Sequence, residues 1–165
     1  MNKKIWIIIA IVAVLLIAAI VGGTILIINL TKNKEPITAS EFKDIMEDAD
    51  FEVINSKDQF ANVDEIEDSM IAVQKDEDYQ IEFYVLGDET DAEIFFKGNK
   101  KIFEESASDS NITRVETSSK NGELFKITSN GKYMVLSRIE NTVVYVKVDS
   151  EYKDSVDKVL KKLGY

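Results

Sequence analysis

Neither cysteine nor histidine occurs in the 165-residue chain. Their absence removes the thiolate and imidazole ligands from which zinc, iron–sulfur and blue-copper centres are built. It also removes Ser-His-Asp and Cys-His catalysis, because no remaining side chain has an ordinary pKa near neutrality. Without cysteine there is no disulfide framework to reveal the redox compartment, and no thiol for lipoprotein modification. Positive charge is scarce as well: 20 Lys and Arg stand against 30 Asp and Glu, and the only arginines are Arg114 and Arg138. Such a surface repels nucleic-acid phosphates and anionic lipid heads. The most lysine-rich stretch (Lys153, Lys158, Lys161, Lys162) is diluted by Glu151, Asp154 and Asp157. No nucleic-acid partner is expected.

What the chain does contain is one long uncharged run, Ile5 to Leu30, IWIIIAIVAVLLIAAIVGGTILIINL. At 1.5 Å per residue a helix of this length exceeds the ~30 Å hydrocarbon core, so residues 5–30 are expected to cross the bilayer once, with tilt. Lys3 and Lys4 precede the run and Trp6 sits where an interfacial aromatic would anchor it, which makes residues 1–4 the cytoplasmic end and places the rest of the chain outside the cytoplasm. Lys32 and Lys34 on the far side narrow that asymmetry. A cleaved signal peptide is the competing reading, with small residues at Val21-Gly22-Gly23, but the apolar run continues beyond them to Leu30. Ala18 with Gly22, and Ala19 with Gly23, form two small-xxx-small pairs through which a membrane-protein partner or a second copy can approach closely.

Beyond the run, 18 cations face all 30 carboxylates, an excess of 12 negative charges. Residues 31–36 form a linker reaching about 20 Å when extended, and residues 37–165 are enough for one domain. Thr38-Ala-Ser-Glu41 is a capping-box pattern opening a helix to about residue 50, with Phe42, Ile45, Met46 and Ala49 on one side. A short strand over Phe51 to Ile54 precedes a polar stretch, Asn55 to Ser69. Met70 to Gln74 and Tyr79 to Leu86 form a hairpin with Ile81, Phe83 and Val85 on one face. Thr90-Asp-Ala-Glu93 opens a second helix, lined by Ala92, Phe95, Phe96, Asn99, Ile102 and Phe103 and weakened by Gly98. The turns Lys120-Asn-Gly122, Ser129-Asn-Gly131 and Glu140-Asn141 then divide four alternating strands near 113–118, 123–128, 132–139 and 142–148. A last helix after Asp149-Ser150 carries Tyr152, Val156, Val159, Leu160 and Leu163 and stops at Gly164. Its Asp154/Lys158 and Asp157/Lys161 spacings suit i, i+4 ion pairs. The order predicts an α+β domain of two layers, an antiparallel sheet with helices on one face.

Candidate chemistry is thin. Ser40-Glu-Phe-Lys43 matches the S-x-x-K of penicillin-binding enzymes, but it recurs at Ser150-Glu-Tyr-Lys153, and both serines are expected to cap helices. Carboxylates cluster at Asp44, Glu47, Asp48 and Asp50, at Asp64, Glu65, Glu67 and Asp68, and at Asp76, Glu77 and Asp78. None fits a calcium loop of the D-x-[DN]-x-[DN]-G kind. No residue is therefore assigned a catalytic, cofactor-binding or metal-ligating role, and no cofactor is expected.

Three segments, Tyr79-Gln-Ile-Glu-Phe-Tyr-Val-Leu86, Ser129-Asn-Gly-Lys-Tyr-Met-Val-Leu-Ser-Arg-Ile-Glu-Asn-Thr142 and Leu160-Lys-Lys-Leu-Gly-Tyr165, resemble small single-pass membrane-anchored or secreted proteins of clostridial-type Gram-positive bacteria. The resemblance covers most of the domain and implies a place at the cell membrane. It carries no functional residue. The leading expectation is a non-catalytic, membrane-anchored extracytoplasmic domain that binds a ligand or partner. The alternative is a carboxylate-dependent or calcium-dependent hydrolase of the envelope.

Overall fold

The computed structural model describes residues 33–75, 79–107 and 112–165. The run 5–30, with Ala18, Ala19, Gly22 and Gly23, lies outside them, as do Asp76, Glu77 and Asp78. Among the described residues no helix is long and apolar enough to cross a membrane.

Helix α1 (Ala39–Glu47) starts as its sequence predicts. Thr38 Oγ1 accepts from the Glu41 N–H at 3.2 Å and the Glu41 carboxylate accepts from the Thr38 N–H at 2.8 Å, closing the capping box. These bonds hold the Glu41 carboxyl below its ordinary pKa, the backbone bond contributing most. Strand β1 (Phe51–Asn55) follows, then a 3-10 turn (Lys57–Phe60), β2 (Ile66–Gln74), β3 (Gln80–Leu86) and α2 (Glu89–Ser106). The meander is β4 (Thr113–Ser118), β5 (Gly122–Ser129), β6 (Lys132–Ile139) and β7 (Thr142–Asp149), within one residue of the sequence boundaries. A 3-10 turn (Ser150–Tyr152) leads into α3 (Lys153–Leu163), which Gly164 ends with φ 83°.

All seven strands form one antiparallel sheet in the order β1-β2-β3-β7-β6-β5-β4. The last strand in sequence is thus the central one, and its pairing with β3 joins the early hairpin to the meander.

Helices cover both faces, which corrects the two-layer expectation. One face packs Phe42 and Met46 of α1 and Val156, Leu160 and Leu163 of α3 against Ile81, Phe83, Val135, Val144 and Val146. The opposite face packs Ala92, Phe96 and Phe103 of α2 against Tyr84, Leu86, Phe125, Met134, Leu136 and Val143. The physical cause lies in the central strands: β6 and β7 carry large apolar side chains at successive positions, and successive side chains point to opposite faces. A strand buried on both sides needs a cover on both sides.

The turns also differ from a uniform Asn-Gly scheme. Asn130 (φ 52°) and Gly131 (φ 72°) use left-handed backbone, as a tight hairpin requires. Gly122 serves instead for close approach, because a Cβ there would lie 2.6 Å from the Arg138 carbonyl oxygen.

Helix α2 begins earlier than expected: Asp88, not Thr90, caps it, its carboxylate accepting from the Asp91 N–H at 2.9 Å. Its buried stripe is Ala92, Phe96 and Phe103, and Ile102, expected inside, points outward. A Cβ at Gly98 would meet nothing within 4 Å. Gly98→Ala is therefore expected to raise stability by about 0.5–1 kcal/mol, read as a higher urea midpoint at an unchanged slope.

On α3 the expected Asp157/Lys161 pair is replaced by a bond across to the sheet. Asp157 accepts from Lys126 at 2.5 Å and from the hydroxyl of the buried Tyr133 at 2.6 Å. Burial alone would raise the Asp157 carboxyl, but the hydrogen bonds from Lys126 and Tyr133 outweigh it and hold the pKa below the ordinary value. A carboxyl depressed in the folded state adds stability above its unfolded pKa of about 3.9 and loses it as pH falls through the folded value. Asp157→Asn should cost about 1 kcal/mol at pH 7 and progressively less as acid protonates the carboxyl, as measured by denaturation across pH.

Candidate functional site

Six large apolar side chains are exposed among the described residues: Ile54, Val63, Ile94, Ile102, Ile112 and Val115. Isolated exposed aliphatics are ordinary on a protein surface. Val63 (40% exposed) and Ile94 (65%) differ because the two together flank one cavity, of about 360 Å³, whereas Val115 stands alone beside a smaller one of about 260 Å³. Its remaining walls are Phe60, Ile66, Leu86 and Phe95, with Glu65 and Asp91 on the rim. Among the described residues no lysine or arginine lines it.

Each wall is held by its own element. The Lys57–Phe60 turn follows Ser56, whose hydroxyl shares a buried 2.9 Å hydrogen bond with Ser69 of β2 and whose N–H donates to the Ser69 carbonyl. That bond pins the start of the segment to the sheet. Phe60 then sets its ring edge-on to Tyr84, and Phe95 of α2 tilts against the same Tyr84 ring at 4.8 Å. Tyr84 is thus the shared floor support beneath both sides. Its hydroxyl donates to Glu82 at 2.5 Å, and burial together with that bond drives its pKa upward, so it stays neutral. The Gly87 N–H donates to the Glu65 carbonyl, closing the end of the groove at the start of α2.

The rim is negative. Partial burial raises the Asp91 carboxyl above its ordinary pKa, with further contributions from the charges of Asp88 and Glu65. The helix N-terminus favours carboxylates at this place. A cation entering the rim would relieve their mutual repulsion.

The other candidates fall elsewhere. Neither S-x-x-K serine caps a helix: Thr38 caps α1 with Ser40 in its exposed first turn, and Ser150 lies in the 3-10 turn before α3. Asp44, Glu47, Asp48 and Asp50 are exposed, and so are Asp64, Glu65 and Glu67. Asp68 accepts from the Ser69 N–H and from the Asn55 amide. Among the described residues no group of three or more carboxylates gathers to hold a metal ion, and the buried polar residues are serines, a threonine and Arg138 rather than acids. A polar hollow bounded by Gln80, Glu82, Lys132, Tyr145, Lys147 and Asp149 is largely self-paired: Glu82 accepts from Gln80 and Tyr84, and Lys132 bonds Asp149. Nothing in the sequence marks the groove: Phe60, Val63 and Ile66 are scattered through the polar stretch Asn55 to Ser69, and their partners Ile94 and Phe95 lie on a distant helix.

No protein-family model matches the chain, and the comparison with curated proteins returns no match. Two solved structures are similar in outline. A GTP binding regulator from Thermotoga maritima aligns at 17% identity and a TM-score of 0.44 over 78% of this chain and 88% of its own. The extracellular domain of PknH from Mycobacterium tuberculosis aligns at 12% identity and a TM-score of 0.40 over 78% of this chain and 92% of its own.

Proposed function

We propose that this chain is a membrane-anchored, extracytoplasmic interaction domain, non-catalytic, in which residues 5–30 hold the domain at the membrane and the groove between the Lys57–Phe60 turn and α2 receives an apolar segment of a protein partner. The groove carries this reading. Six of its eight lining residues are apolar, and two of those, Val63 and Ile94, stay exposed beside it. Covering the exposed part of Ile94 alone stabilises a complex by about 1–2 kcal/mol. An apolar concavity with a few convergent polar groups is the form such binding sites take.

A photo-reactive side chain placed at Ile94 in the full chain, in its native membrane, tests the reading. The expected result is one discrete crosslinked protein band, absent when the same group is placed at the exposed Lys101 and lost when Val63→Asp accompanies it. Equal crosslinking from both positions, or none from either, would contradict it.

A further inference from the structure

Resting on the reading just given, we infer that the groove's partner is the basic, apolar juxtamembrane segment of another membrane protein, held at the end of the domain that faces the bilayer. The tether sets which end of the domain faces the bilayer. The Lys34 N–H donates to the Asn121 side-chain oxygen at 3.0 Å, and the Asn121 amide donates back to the Lys34 carbonyl at 2.7 Å. Ile37 packs against the core. The linker is therefore bound to the domain from Lys34 onward. Leu30 and Lys34 are four residues apart, a reach of about 14 Å when extended, so the Asn121 end of the sheet is brought against the membrane.

The groove lies at that same end. The Asn121 amide also donates to Glu140. Next to Glu140, Asn141 exchanges two bonds with Leu86, donating from its side chain to the Leu86 carbonyl and accepting from the Leu86 N–H at its own. Gly87 then bonds Glu65. Leu86 and Glu65 belong to the groove. Between β5, where the tether is clamped, and β3, where the groove begins, lie three inter-strand steps, about 14 Å. Clamp and groove thus share one end of the sheet, on opposite faces.

Charge selects the occupant. Glu65 and Asp91 stand on an apolar wall that no cation among the described residues lines, and Asp88 caps the adjoining helix. The complementary occupant carries Lys or Arg flanked by large aliphatic or aromatic side chains. Aromatic residues border both ends of membrane helices, and Lys or Arg near a helix end snorkels to the interface, as Lys32 and Lys34 are placed to do after the run in this chain. An anionic lipid surface has the same sign as the rim and is repelled by it.

The test uses the full chain in phosphatidylcholine vesicles, titrated with an amphipathic leucine–lysine peptide and with the same peptide carrying glutamate for lysine, empty vesicles serving as the blank. The lysine peptide should bind several-fold to about tenfold more tightly, an advantage that shrinks with added salt. In the double variant Glu65→Lys, Asp91→Lys the order of the two peptides should reverse. Equal binding of both peptides, lost in Ile94→Asp, would overturn the basic partner while leaving the groove reading intact. Binding indifferent to Ile94→Asp would overturn the groove itself. Adding phosphatidylglycerol to the vesicles should weaken peptide access to the domain no more than it draws peptide to empty vesicles. Protection of Ile94 by that lipid alone, or crosslinking at Ile94 only to a second copy of the chain, would overturn the inference.

Discussion

Phe83→Ala is expected to lower the unfolding free energy by about 3–5 kcal/mol. Phe83 is fully buried on β3 and stacks on Phe42 of α1 with ring centroids 4.8 Å apart and planes 10° apart. The ring of Tyr165 meets it edge-on at 6.3 Å. Phe83 therefore ties the first helix and the last residue to the central sheet at one point. Alanine removes the buried ring and leaves a cavity that β3, paired on both sides, cannot collapse to fill. The Tyr165 hydroxyl, bonded to Thr142 and pushed up to about pKa 12 mainly by burial, would lose its packing support. A urea titration checks this, with Ile102→Ala as the comparison: Ile102 is 56% exposed, and its loss should change stability by no more than about 0.5 kcal/mol.

Arg138→Met should cost about 2–3 kcal/mol and should also loosen the groove. Arg138 is buried beneath the first turn of α2, bonded to Glu123 at 3.1 Å, to Glu89 at 3.2 Å and to the Glu140 carbonyl at 3.1 Å. Methionine fills much of the volume but strands Glu123, which is mostly shielded, while Glu89 is well exposed and returns to water at little cost. The loss therefore falls below that of a fully buried pair. Because Glu89 lies just before Asp91 and Ile94, hydrogen exchange in the first turns of α2 should quicken more than exchange in α3. Uniform quickening across both helices would show that Arg138 supports the whole domain rather than this end.

How much of this was legible beforehand depended on the kind of signal. The meander was, because Asn130-Gly131 demands left-handed backbone and the strands beside it are rich in β-branched and aromatic residues. The start of α1 and the end of α3 were, because Thr38 with Glu41 and Gly164 are local devices. The second helical layer was missed for want of weight on the unbroken runs Tyr133–Leu136 and Val143–Val146, which say that both faces are covered. The cap of α2 was misplaced by two residues because Asp88 and Thr90 are both good capping residues, and only the chain path out of β3 chooses between them. The groove was not legible at all. It joins Phe60 and Val63 to Ile94 and Phe95 across some thirty positions through their common support on Tyr84, and no local pattern encodes that meeting.

Because the natural chain contains no cysteine, a single introduced thiol reports its own surroundings without background. Ser40→Cys, on the exposed first turn of α1, can be treated in intact cells with a maleimide that does not cross membranes. An extracytoplasmic domain held by residues 5–30 predicts full labelling of intact cells and recovery of the labelled chain in the membrane fraction after alkaline carbonate washing. Labelling only after permeabilisation, or release of the chain into the wash, would contradict it.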